Sequence, residues 1–159
     1  MHCYAHTLNL VMTSSTESCK LARDFLGLLQ STASFVSESH KRMQVWTAVN
    51  RDSAEGHQLL RRLQFVNVTR RWSKDKALGS VIDDFSVPFE KSKRYITLLK
   101  CLLTIAHSDD FTVEVNFKAQ SLLQNWCKFQ NILMAFVFRD LFNSTTSTSL
   151  YLKTRDLNY

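Results

Sequence analysis

The stretch Glu17–Val36, ESCKLARDFLGLLQSTASFV, decides the fold. Its apolar residues Leu21, Phe25, Leu28, Leu29, Ala33 and Phe35/Val36 recur at intervals of three and four. That spacing places them on one face of a helix, while Lys20, Arg23 and Asp24 point elsewhere. Glu17 near the start suits the positive end of the helix dipole. The same period returns along most of the chain. His2–Met12 reads as a helix start, ended by the Ser/Thr-rich Thr13–Thr16, and Ser39–Asn50 reads as a shorter helix with Met43, Val45, Trp46 and Val49 inward. Arg51–Gly56 reads as a loop, and Gln58–Trp72 fits either a helical turn or extended chain. From Ser73, a good N-cap, a helix with Ala77, Leu78, Val81, Ile82 and Phe85 runs to a break before Pro88. Phe89–His107 forms another on Tyr95, Leu98, Leu99, Leu102, Leu103 and Ile105. Asp109-Asp110 reads as the cap of a helix over Thr112–Leu123. The strongest core segment follows, with Trp126, Phe129, Ile132, Leu133, Phe136, Val137, Leu141 and Phe142. Asn143–Ser149, NSTTSTS, has poor helix propensity and reads as a loop or a helix start.

Composition agrees with this pattern. Three glycines and one proline in 159 residues are too few for a fold rich in tight strand turns. With 45% apolar and 21% charged residues the chain can bury a core. The expectation is a single all-α domain over residues 1–159, six to eight helices in a bundle-like array. Its subdivisions are an opening helix over 1–12 and a loop with a partial C-terminal segment over 143–159.

A net charge of +6 suits an anionic partner such as nucleic acid, and equally serves solubility. Cys3, Cys19, Cys101 and Cys127 form no CxxC pair and follow no signal peptide, so they read as small buried apolar groups of an intracellular, non-secreted protein. The sequons at Asn67-Val68-Thr69 and Asn143-Ser144-Thr145 are then chance matches. The longest apolar run, Ile132–Phe138, is too short to cross a bilayer. Cys3 and His6 lie at i and i+3, but a zinc site needs about four ligands and no second close Cys/His pair exists, so no metal or other cofactor is expected. No phosphate loop or nucleophile elbow appears, which leaves no small-molecule substrate in view. The acid doublets Asp83-Asp84 and Asp109-Asp110 sit where helix capping explains them.

Arg70-Arg71-Trp72-Ser73-Lys74 gathers basic residues around an aromatic. Arg and Lys hold phosphates and an indole stacks on an unpaired base; the alternative makes Trp72 a core anchor at a helix start. The basic stretches His40-Lys41-Arg42 with Arg51, and Lys91, Lys93, Arg94 with Lys100, read as solvated helix faces.

Three ordered motifs carry a resemblance: His2–Val11, HCYAHTLNLV; Arg71-Trp72-Ser73; and Leu150–Leu157, LYLKTRDL. Together they resemble the hAT superfamily of cut-and-paste DNA transposases, in which a C-x-x-H pair opens a long helical insertion in an RNase H-like fold. The domesticated hAT-derived proteins of the zinc-finger MYM-type group are similar. The resemblance implies a functional His6 near the DNA, with Cys3 as its structural companion. It also implies an Arg71-Trp72 pair that supports a DNA hairpin, the tryptophan stacking on a base. The family's Thr-Arg-Trp is shifted here, with Thr69 one residue early and Arg70 in its place. The family's catalytic carboxylate triad, which would hold two metals, has no match in this chain. The expectation is a non-catalytic, nuclear, transposase-derived fragment that binds DNA through Arg71, Trp72, His6, Arg70 and Lys74. The alternatives are a helical protein–protein interaction module, marked by exposure of Trp46, Phe89, Tyr95 or Phe111, and a degenerate transposon relic.

Overall fold

A computed structural model describes residues 4–53, 63, 71–82 and 93–155. Seven helices are present among them and no strand: α1 (Tyr4–Ser18), α2 (Lys20–Ser37), α3 (His40–Ser53), α4 (Arg71–Val81), α5 (Lys93–Ala106), α6 (Val113–Trp126) and α7 (Phe129–Arg155). The chain is all-α, as its spacing and its scarcity of Gly and Pro predict. None of the described helices is long and apolar enough to cross a membrane.

The core forms around α2. Ala22, Phe25, Leu29, Thr32, Ala33, Phe35 and Val36 are buried along it, whereas Leu21 lies outside this set and is exposed. Phe25 meets Trp126 of α6 edge-on, with centroids 6.0 Å apart, and stacks on Phe138 of α7 at 5.7 Å. Phe138 in turn stacks on Phe142, and Tyr95 of α5 meets Trp126 edge-on. The buried polar groups of Thr32, Tyr95 and Trp126 have partners. The Trp126 Nε1–H donates to Thr32 Oγ1 at 2.9 Å, the Thr32 hydroxyl donates back to the Leu28 carbonyl, and the Tyr95 hydroxyl donates to the Trp126 carbonyl at 2.8 Å. One threonine and one tyrosine thus join α2, α5 and α6 and satisfy the Trp126 indole and the Tyr95 phenol, whereas the Nε1–H of the buried Trp46 on α3 has no partner among the described residues. Burial, and secondarily the nearby Cys127, push the Tyr95 phenol up to about 12.

Several boundaries differ from the sequence reading. α1 continues through Thr13–Thr16 and stops only at Cys19, whose backbone is extended. Local hydroxyl bonds offset the low propensity, the Ser18 hydroxyl donating to the Ser15 carbonyl, and Thr16 is buried. Glu17 therefore sits in the last turn of α1, at the unfavourable end of its dipole, and not at the start of α2. α3 reaches Ser53, so part of the expected Arg51–Gly56 loop is helical; residues 54–56 lie outside the described residues. α4 begins two residues before the expected cap, which puts Ser73 inside its first turn. The N-cap of α6 is Thr112, whose hydroxyl accepts from the Val115 N–H, and not Asp109-Asp110. Asp110 instead pairs with Lys41 of α3 at 3.5 Å. On α7 the buried residues are Ala135, Phe138 and Phe142, while Phe129, Leu133 and Val137 face outward. Asn143–Ser149 is a continuous part of α7, not a loop.

Candidate nucleic-acid interface

Arg71, Trp72, Ser73 and Lys74 make up the first turn of α4. Their side chains, like that of His6 on α1, lie outside the described residues, as do Cys3, Arg70 and Phe89 entirely. What the structure gives is the platform. Ala77, Leu78 and Val81 along α4, and Ile82 just beyond it, are buried against the core. Asp75 faces Arg139 of α7 at 3.9 Å, both side chains being largely shielded from water. Gly79 forms a notch: a Cβ there would lie 2.9 Å from Arg139 Nη1, and its carbonyl accepts from the Arg94 guanidinium of α5. Two arginines from two helices therefore converge on the second half of α4 and fix its direction. The first turn is left with backbone N–H groups that have no intrahelical acceptor, and such a terminus favours anions.

Sequence reasoning found α4 and its buried residues but missed Gly79, Arg94 and Arg139. An isolated glycine inside an otherwise apolar helical run was the one available signal, because such a residue often marks a close approach. In the stretch His40-Lys41-Arg42, two cations are committed internally. Lys41 donates to the Asp110 carbonyl at 2.7 Å and lies over the Phe111 ring, and Arg42 sits 4.3 Å from the centre of the buried Phe35 ring.

The thiols divide. Cys101 is buried, and burial pushes it up to about 12, but Cys19 and Cys127 are exposed, which corrects the reading of every cysteine as a core residue. Among the described residues no group of three or more His, Cys, Asp or Glu could hold a metal ion. Trp46 and Tyr95 are buried and Phe111 is half-buried, so none of these forms an exposed aromatic surface. The large exposed apolar residues are others, led by Val113, Phe117 and Phe129 at 85%, 72% and 75% exposure. No protein-family model, curated protein or solved structure matches the chain.

Proposed function

We propose that the chain is a non-catalytic, transposase-derived helical module that works in the nucleus by binding DNA through the first turn of α4. Arg71 and Trp72 are its leading contacts, with Lys74, Arg70 and His6 in support. The observation that carries the reading is the placement of Arg-Trp-Ser-Lys on the opening turn of a helix whose later turns are packed and clamped by Arg94 and Arg139. A helix start supplies amide donors, the flanking arginine and lysine supply phosphate partners, and the indole supplies a stacking surface for an unpaired base. The resemblance to hAT transposases names a hairpin as the DNA form. The missing match to the carboxylate triad assigns binding and not strand cleavage to this part.

The test is fluorescence anisotropy of a labelled DNA hairpin titrated with the folded chain, with a plain duplex as control. Preference for the hairpin that falls about tenfold in Trp72→Ala, consistent with ~1–3 kcal/mol per stacked base, supports the reading. A Trp72→Ala variant that keeps the parent's preference for the hairpin removes the stacking site. A second reading, a protein-docking module, has its own observation in the line Phe129, Leu133 and Val137 on the outer side of α7. Concentration-dependent mass in solution that is abolished by Phe129→Ser would favour it.

A further inference from the structure

The charge of this protein is concentrated on two packed helices. α4 carries Arg71, Lys74 and Lys76 against Asp75, and α5 carries Lys93, Arg94 and Lys100 with no acid. That is a net of +5 on 25 residues, in a chain whose total is +6. The connecting segment 83–92, with Asp83, Asp84 and Glu90 against Lys91, lies outside the described residues. α4 and α5 are packed against each other, and the Arg94 side chain bridges them by donating to the Gly79 carbonyl. Arg94 is spent on that bridge, and Asp75 is matched by Arg139 of α7.

The remaining cations with described side chains face water. Lys76, Lys93 and Lys100 are exposed and form no ion pair among the described residues. On α5 the exposed residues Lys93, Ile96, Lys100, Leu103 and Thr104 fall on one strip, opposite Tyr95, Leu98, Leu102 and Ile105 in the core. Lys93 and Lys100 lie seven residues apart, about 10.5 Å along the axis. Elsewhere Lys20 is offset by Asp24, Lys41 by Asp110 and Arg42 by Glu38, while Arg23, Arg51, Lys118 and Lys128 are exposed singly on other helices and turns, without an ion pair among the described residues.

From this distribution we infer that the α4–α5 face is a sequence-independent phosphate-tracking surface, on which Lys76, Lys93 and Lys100 hold the duplex that leads into the α4 site. The inference rests on the DNA-binding reading above and extends it from one helical turn to a face. A duplex presents one charge per about 1.7 Å of axis, so each lysine that neutralises a phosphate releases a counterion and steepens the salt dependence. The bases play no part, so duplex and hairpin feel these lysines alike.

The experiment measures the slope of log affinity against log salt for a plain 20-base-pair duplex and for the hairpin, with the full chain. The triple variant Lys76→Gln, Lys93→Gln, Lys100→Gln is compared with Lys20→Gln, Arg23→Gln, Lys128→Gln, which removes equal charge elsewhere. The expected result is a slope shallower by about 3 on both DNAs in the first variant, with at least about a tenfold loss of affinity, and a change under about 1 in the second. Circular dichroism confirms that both fold. Equal slopes in parent and α4–α5 variant, or equal losses in the two variants, overturn the inference. So does a loss as large as the triple variant's in Ile96→Ser with Leu103→Ser, which marks an apolar docking strip. Trp72→Ala separates the two proposals. Hairpin preference that needs Trp72 with an unchanged slope sinks only this inference, whereas a reduced slope with binding indifferent to Trp72 sinks only the stacking site.

Discussion

Trp126→Phe is the most informative single perturbation of the fold. Trp126 is fully buried, and its Nε1–H reaches Thr32 across 94 residues of sequence. Phenylalanine keeps a ring in place but removes the indole donor, worth about 1 kcal/mol for a buried neutral hydrogen bond. It withdraws roughly 40 Å² of apolar surface, about 1 kcal/mol at 25 cal/mol/Å². It also weakens the edge-on pairs with Phe25 and Tyr95, each about 0.5–1.5 kcal/mol when intact. The expected loss is about 2–3 kcal/mol. Thr32→Val, which strands the indole N–H in the core, costs about 1–2 kcal/mol. Because the two changes delete the same bond, the double variant falls short of their sum by about 1 kcal/mol. Urea unfolding followed at 222 nm gives all three values. Additivity within about 0.3 kcal/mol would refute the bond as a stabilising contact, and a loss under about 0.5 kcal/mol for Trp126→Phe would refute the packing.

Gly79→Ala sets a helix-propensity gain of about 1 kcal/mol against displacement of the Arg139 guanidinium, the flexible end of a long side chain. The net effect on thermal melting is expected to stay within about 3 °C, and a drop beyond about 8 °C would show that Arg139 cannot move. Leu102→Ala, at a fully buried site in α5, costs about 2–5 kcal/mol by chemical denaturation. Alkaline pH destabilises the fold through Cys101 and Tyr95, which hold their protons to about 12 when folded but release them nearer 9.0 and 10.0 when unfolded. Their contribution is complete below pH 9 and declines by about 1.4 kcal/mol per pH unit per group as pH rises toward 12. Cys101→Ala removes the part of that decline that begins at pH 9, as read by urea midpoints across the range. In the native state Cys19 and Cys127 react promptly with a disulfide thiol reagent, while Cys101 waits for unfolding.

Where polar and apolar residues alternate clearly, the sequence identifies most of the core, although Leu21 and Leu103, also read as inward, are exposed. In α2 the intervals identify Phe25, Leu29, Ala33, Phe35 and Val36, and in α5 they identify Tyr95, Leu98, Leu102 and Ile105. α7 defeats the same reasoning, because every position from Ile132 to Phe138 is apolar and periodicity has no contrast to report. Phe129, Leu133 and Val137 make a regular line, yet it is the line that faces water. NSTTSTS fails as a loop for another reason. The Thr145 hydroxyl donates to the Leu141 carbonyl at 2.6 Å and the Thr148 hydroxyl to the Ser144 carbonyl at 3.1 Å, so both hydroxyls bond back into the helix that they were expected to disrupt. At the candidate site, resemblance and local chemistry nominate Arg71 and Trp72, and the structure places both on the first turn of α4. The Gly79–Arg139 approach joins residues sixty apart and leaves no local trace.

The Trp126–Thr32 bond also sets a schedule for synthesis. At about 5–20 residues per second, the tryptophan is added roughly 5–20 s after the threonine it will meet. Through that interval α2 carries Phe25 without the indole and without Phe138, both of which come later from α6 and α7. The N-terminal third therefore waits on the ribosome with its stickiest surface uncovered, a period in which a chaperone that grips aromatic segments has its natural opening.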